Sequence, residues 1–166
     1  MRKLCSWIVV LALVISLVPS ALALDFLTVT GGTEGVDYTI KDRIVTILTN
    51  TPMSISGDFC EGIVITGSEA DIQLENLRID PMDGNAITVT SGCDAHITFA
   101  GENRIDLMGQ GTVIQNDGTL TLDSEAGGSL MGSIMERDCP AMIQGGTVTI
   151  LGGTYQIFSD DEVPYF

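Results

Sequence analysis

The stretch GGTVTILGGTYQI, residues 145–157, says Gly-Gly-Thr twice and follows each copy with a short alternating run. A glycine-rich loop that cradles a phosphate opens a helix. Here TVTIL and TYQI alternate with period two and read as strands. The glycines are therefore expected at positive-φ corners, with each Thr starting the next strand.

The same grammar extends upstream. GIVITGSEADIQLENLRI (62–79), NAITVTSGCDAHITFAGENRIDL (85–107), GTVIQNDGTLTLDSEAGGSLM (111–131) and PAMIQGGTVTILGGTYQI (140–157) each read as strand, turn, strand, turn, strand. A shorter copy fits at IVTILTNTPMSIS (44–56). First strands begin near Ile63, Ile87, Val113 and Met142, at spacings of 24, 26 and 29; second strands begin at Ile72, Ile97, Leu120 and Val148, at 25, 23 and 28. A drifting period in the twenties with no helical segment describes an all-β chain folded as a parallel β-helix of about five short coils. Inward ladders are expected at Ile72, Ile97, Leu120 and Val148, and at Leu74, Phe99, Leu122 and Ile150, with residues 73, 98, 121 and 149 facing solvent. An antiparallel β-sandwich is the competing fold. An opening hairpin is expected over about 36–48, where Tyr38–Ile40 and Ile44–Ile47 flank a turn at Lys41 to Arg43.

Residues 1–23 stand apart. Arg2 and Lys3 precede an apolar run from Trp7 to Val18, closed by Pro19 and Ala21-Leu22-Ala23. That is the pattern of a cleaved signal peptide, and the run is too short for the roughly 20 residues of a membrane span. The expected organisation is a β-helix domain over 24–166, with coils over about 44–157 and a short acidic tail at 158–166. Two of the seven basic residues fall in the leader, leaving five against all 22 acidic ones and a formal charge of −17. Such a balance excludes nucleic acid and anionic membrane surfaces as partners, because phosphate binding needs clustered Lys and Arg. Three cysteines remain, Cys60, Cys93 and Cys139, an odd number with no C-x-x-C, so neither a disulfide framework nor a zinc site follows.

LTVTGGTEGVDYTIKDRIVTILTNTPMSISG, GIVITGSEADIQLENLRID and ITFAGENRIDLMGQGTVIQNDGTLTLDSE together resemble the secreted carbohydrate-binding domain-containing proteins of clostridia and related Gram-positive bacteria, over roughly 27–157. The resemblance implies a right-handed parallel β-helix of pectate-lyase-like shape, extracellular and in some cases held at the cell surface. It also implies binding of plant or bacterial polysaccharide, with calcium held by loops along one side.

Three chemistries are open to these residues. A lyase of this shape needs a basic side chain beside acidic calcium ligands. Arg78 or Arg104 near Glu75, Asp80, Asp83, Glu102 and Asp106 are the candidates, and cross-strand ion pairs are the plainer account of the same residues. His96 is expected at the surface or half-buried, and no nucleophile-His arrangement is apparent. For calcium, Asp80, Asp83 and Asn85 in DPMDGN place three oxygens around one tight turn, which an ordinary Asx turn also explains. Carbohydrate binding cannot lean on an aromatic platform, since the chain after residue 23 has no Trp. A polar groove of Thr, Asn, Asp and Gln is the expected form, its residues not identifiable from the sequence.

The functional expectation is a secreted, non-catalytic polysaccharide-binding β-helix. The alternatives are a structural or adhesive surface solenoid and, last, a calcium-dependent polysaccharide lyase. A solenoid end exposes unpaired strand edges unless covered, so end-to-end self-association is a further expectation.

Overall fold

A computed structural model describes residues 27–134 and 142–159. The leader at 1–23, Cys139 and residues 160–166 lie outside the described residues. Those described contain strands and turns and no helix: β1 (Thr28–Thr30), β2 (Tyr38–Lys41), β3 (Ile44–Ile47), β4 (Met53–Cys60), β5 (Gly62–Ile65), β6 (Glu69–Ile79), β7 (Ile87–Val89), β8 (Asp94–Ala100), β9 (Glu102–Leu107), β10 (Ile114–Asn116), β11 (Thr119–Ser124), β12 (Ser129–Ile134), β13 (Ile143–Gln144), β14 (Thr147–Ile150) and β15 (Thr154–Ser159).

The pairing is that of a parallel β-solenoid of about four turns. On a first face β3, β5, β7, β10 and β13 stack in parallel. A second face stacks the first halves of β4 and β6 with β8, β11 and β14. The third stacks the ends of β4 and β6 with β9, β12 and β15. Among the described residues only two pairings are antiparallel, β1 with β4 and β2 with β3, and both lie at the N-terminal end. A sandwich of antiparallel sheets is thereby excluded. β2 and β3 form the opening hairpin, and its turn residues Asp42 and Arg43 have φ of 51° and 62°, the left-handed pair that a two-residue turn matched to strand twist requires.

The corner between second and third faces shows how local sequence bends the chain. In the second level Asn76 takes φ 48° inside β6; in the third, Gly101 takes φ 64° between β8 and β9. A Cβ on Gly101 would run into the Asn76 side chain, so close stacking of the two corners as well as backbone sign requires glycine there.

Inward residues stack like on like. Val45, Ile63, Ile87, Ile114 and Ile143 are in register on the first face, and Met53, Ile72, Ile97, Leu122 and Ile150 on the second. All but the last of each row are buried. Full burial of a side chain of this size is worth about 1.5–3 kcal/mol, so these rows dominate the stability of the solenoid.

The expected ladders need correction after the third level. Ile97 aligns with Leu122, not Leu120, and Leu122 with Ile150, whereas Leu120 and Val148 lie over Ala95 and Ala70. Leu74 and Phe99 are followed by Ser124 rather than Leu122. The corner sets the true register: four residues separate β7 from β8 but only two separate β10 from β11, so Ile97 pairs with Leu122 where an equal corner would bring it to Ser124. A two-residue slip preserves the inward and outward alternation, so the hydrophobic pattern reads the same in both registers. On the first face the paired residues are Ile114 and Ile143, one beyond Val113 and Met142. Val113 and Ile114 are both fully buried, so alternation gives no guide there.

Candidate functional site

Three regions carry the chemistry. The first is the turn Asp80–Asn85. Asp80 accepts a hydrogen bond from Arg78 Nε at 3.0 Å, Asp83 Oδ1 accepts one from the Gly84 amide at 3.0 Å, and Asn85 Oδ1 accepts from the Thr112 amide and hydroxyl at 3.0 and 2.9 Å. Each of the three oxygens is thus directed to a partner within the chain. Calcium binding at Asp80, Asp83 and Asn85 would require Asn85 Oδ1, which already accepts two bonds, to give one up. Among the described residues no group of three or more His, Cys, Asp and Glu is placed to hold a metal ion.

The second is the arginine pair on the third face. Arg78 and Arg104 are in register on adjacent levels. Asp106, largely buried, accepts from Arg104 Nε at 2.8 Å and lies 3.1 Å from Arg78 Nη2. Of the five acids expected near these arginines, the structure brings Asp80 and Asp106 to them; Glu75, Asp83 and Glu102 form no ion pair with either. The hydrogen bond to Asp80, supported by the charges of Asp80 and Asp106, raises the Arg78 pKa above its ordinary value. A proton-abstracting base needs the opposite shift. A third pair, Arg43 with Glu61, joins the hairpin turn to the start of the next level.

The third region lies on the outer side of the second face. Thr30, Ser54, Gln73 and Thr98 are in register across β1, β4, β6 and β8. Since strand neighbours lie about 4.8 Å apart, they form a straight outward row of polar side chains spanning four strands. The row floors an open groove of about 420 Å³, flanked by Asp71 and Glu125. Gln73 Nε2 donates to Glu125 Oε1 at 2.9 Å, so a fourth-level side chain reaches back to the second level across Thr98. Beside the row, Asp71, His96, Thr121 and Thr149 align in the adjacent one. His96 is half-buried, its Nδ1 3.7 Å from Asp71 Oδ1 and its Nε2 buried without a partner.

Of the residues expected to face solvent, 73 and 98 share the groove row, while 121 and 149 belong to the His96 row. The contribution of β1 through Thr30 has no counterpart in the repeat, because β1 runs antiparallel and precedes the first coil. Gln73 and Thr98 were visible as outward positions; that they line a groove depends on β1 and Glu125 rising at its ends.

Cys60 and Cys93 are buried free thiols. Burial pushes the Cys60 thiol up to about 11, so it is a packed apolar group and not a nucleophile. No protein-family model, curated protein or solved structure matches the chain.

Proposed function

We propose that this chain is a secreted, non-catalytic polysaccharide-binding β-solenoid that holds its glycan in the groove on the second face. The observation that carries the reading is the row Thr30, Ser54, Gln73 and Thr98. Hydroxyls and an amide repeat at strand spacing along an open groove about 420 Å³ in volume, offering hydrogen bonds to successive sugar hydroxyls. The signal-like segment at 1–23 supports export, and the resemblance described above, with its right-handed winding, supports the ligand class. Against a lyase stands the pairing of both candidate bases with carboxylates, Arg78 with Asp80 and Arg104 with Asp106. Calcium at Asp80, Asp83 and Asn85 belongs to a different arrangement, an acidic ligand held at that turn and not in the groove.

Co-sedimentation of the purified protein with xylan, cellulose, pectin and an amino-sugar polymer, with and without calcium, tests the proposal. Retention on at least one polymer is expected, reduced at least tenfold by Gln73→Ala with Thr98→Ala. Retention that appears only with calcium would move the site to the Asp80–Asn85 turn. Release of unsaturated uronate products would establish the lyase instead, and no retention on any polymer defeats the reading.

One observation favours the second reading, a structural or adhesive surface solenoid. At the last level Ile150, Leu151, Ile157 and Phe158 are 55%, 64%, 45% and 51% exposed. Elution of the protein as concentration-dependent oligomers together with no glycan retention would favour it.

A further inference from the structure

The groove is one-sided in charge. Asp71 and Glu125 flank it, and no Lys or Arg lines it. The partner of Glu125 is the neutral Gln73 amide, which leaves the carboxylate charge uncompensated. Asp71 has only His96 beside it, at 3.7 Å. Glu69 and Asp94, in register with one another, and Asp123, next after Thr98 in the groove row, add three more acids to the same face. The basic side chains of the described residues lie elsewhere: Lys41 and Arg43 on the hairpin of the first face, Arg78 and Arg104 on the third, and each arginine is already paired with a carboxylate.

We propose that the groove selects its glycan by charge, taking an amino-sugar polymer with free protonated amines and rejecting polyuronates. The inference rests on the glycan-binding reading above and adds the substrate class. A hexosamine chain carries hydroxyls for Thr30, Ser54, Gln73 and Thr98 and ammonium groups for Asp71 and Glu125. A uronate chain brings like charge against both carboxylates, a repulsion that a concave wall screens less than open water does. The polar row makes this a built groove and separates it from the diffuse acidity of the remaining surface.

The test compares soluble oligomers of one amino sugar, with free amines or fully N-acetylated, and oligogalacturonate, titrated against the purified protein. The free-amine oligomer is expected to bind at least tenfold more tightly than its N-acetylated counterpart, with no uronate binding. Asp71→Asn with Glu125→Gln should abolish that preference, whereas Asp42→Asn with Asp117→Asn, which remove the same charge at exposed positions outside the groove, should leave it intact. Equal binding of the two amino-sugar oligomers overturns charge selection and leaves glycan binding standing. Equal losses from both variant pairs would assign the preference to net charge, which also overturns it. Failure of every oligomer to bind removes both the inference and the reading beneath it.

Discussion

At the scale of single residues, the polar side chains that matter most are those that tie separate segments together, and Asp37, half-buried beside the opening hairpin, is one. Its carboxylate accepts from the hydroxyls of Thr49 at 2.7 Å and Thr51 at 2.8 Å and from the Thr33 amide at 2.8 Å, stapling the loop before β2 to the turn after β3. Those bonds, the hydroxyl of Thr49 foremost, hold the Asp37 carboxyl below its ordinary value. A lowered folded-state pKa contributes stability above the unfolded value that is lost as pH falls through the folded one. Asp37→Ala is therefore expected to lower the Tm by a few degrees at neutral pH, and the gap should close below about pH 4, the ordinary Asp range. Thermal melts of the two proteins across that window check it, and identical melts at neutral pH would refute the staple.

Among the strands and corners, the decisive device is Asn103, which opens β9 and is almost fully buried. Its Oδ1 accepts from the Leu77 amide at 3.0 Å in the level before, and its Nδ2 donates to the Ala100 carbonyl at 3.1 Å and to the Ser129 carbonyl at 3.2 Å in the level after. One side chain thus satisfies backbone groups in three levels where the chain turns and strand pairing lapses. Asn103→Ala leaves buried groups without partners and is expected to cost roughly 3 kcal/mol, measured by urea denaturation; a cost below about 1 kcal/mol would mean that water replaces the amide. Asn116 does similar work between the first and second faces, donating to the Thr147 carbonyl at 3.0 Å. Both asparagines stood in strand-turn contexts in the sequence. Neither could be told from an ordinary turn residue there, because the partner that gives each its role lies a whole coil away.

For the molecule as a whole, stability rests on the inward rows and tolerance on the outward ones. Leu122 is fully buried between Ile97 and Ile150, whereas Thr121 lies outward between His96 and Thr149. Leu122→Asp should abolish folding, since an unpaired charge would sit in a dry row, while Thr121→Asp should change stability by less than about 1 kcal/mol. Circular dichroism melts distinguish them, and a folded Leu122→Asp would break the assignment of inside and outside. Among the described residues, antiparallel β1 and β2 cover the first level, whereas Ile150 and Leu151 of the last described level are exposed. By itself, the sequence determined the all-β class, the coil-by-coil repeat, the opening hairpin and which alternate residues face inward. These follow from period-two hydrophobicity and from glycine at corners, properties written in neighbouring residues. Only the tertiary structure decided the register beyond the third level, the meeting of Arg78 and Arg104 over Asp106, and the groove. The register depends on how many residues a corner consumes, and a change of two residues there moves every later side chain along its row while leaving the alternation untouched; the cluster and the groove join side chains a coil or more apart in the sequence, which no local pattern records.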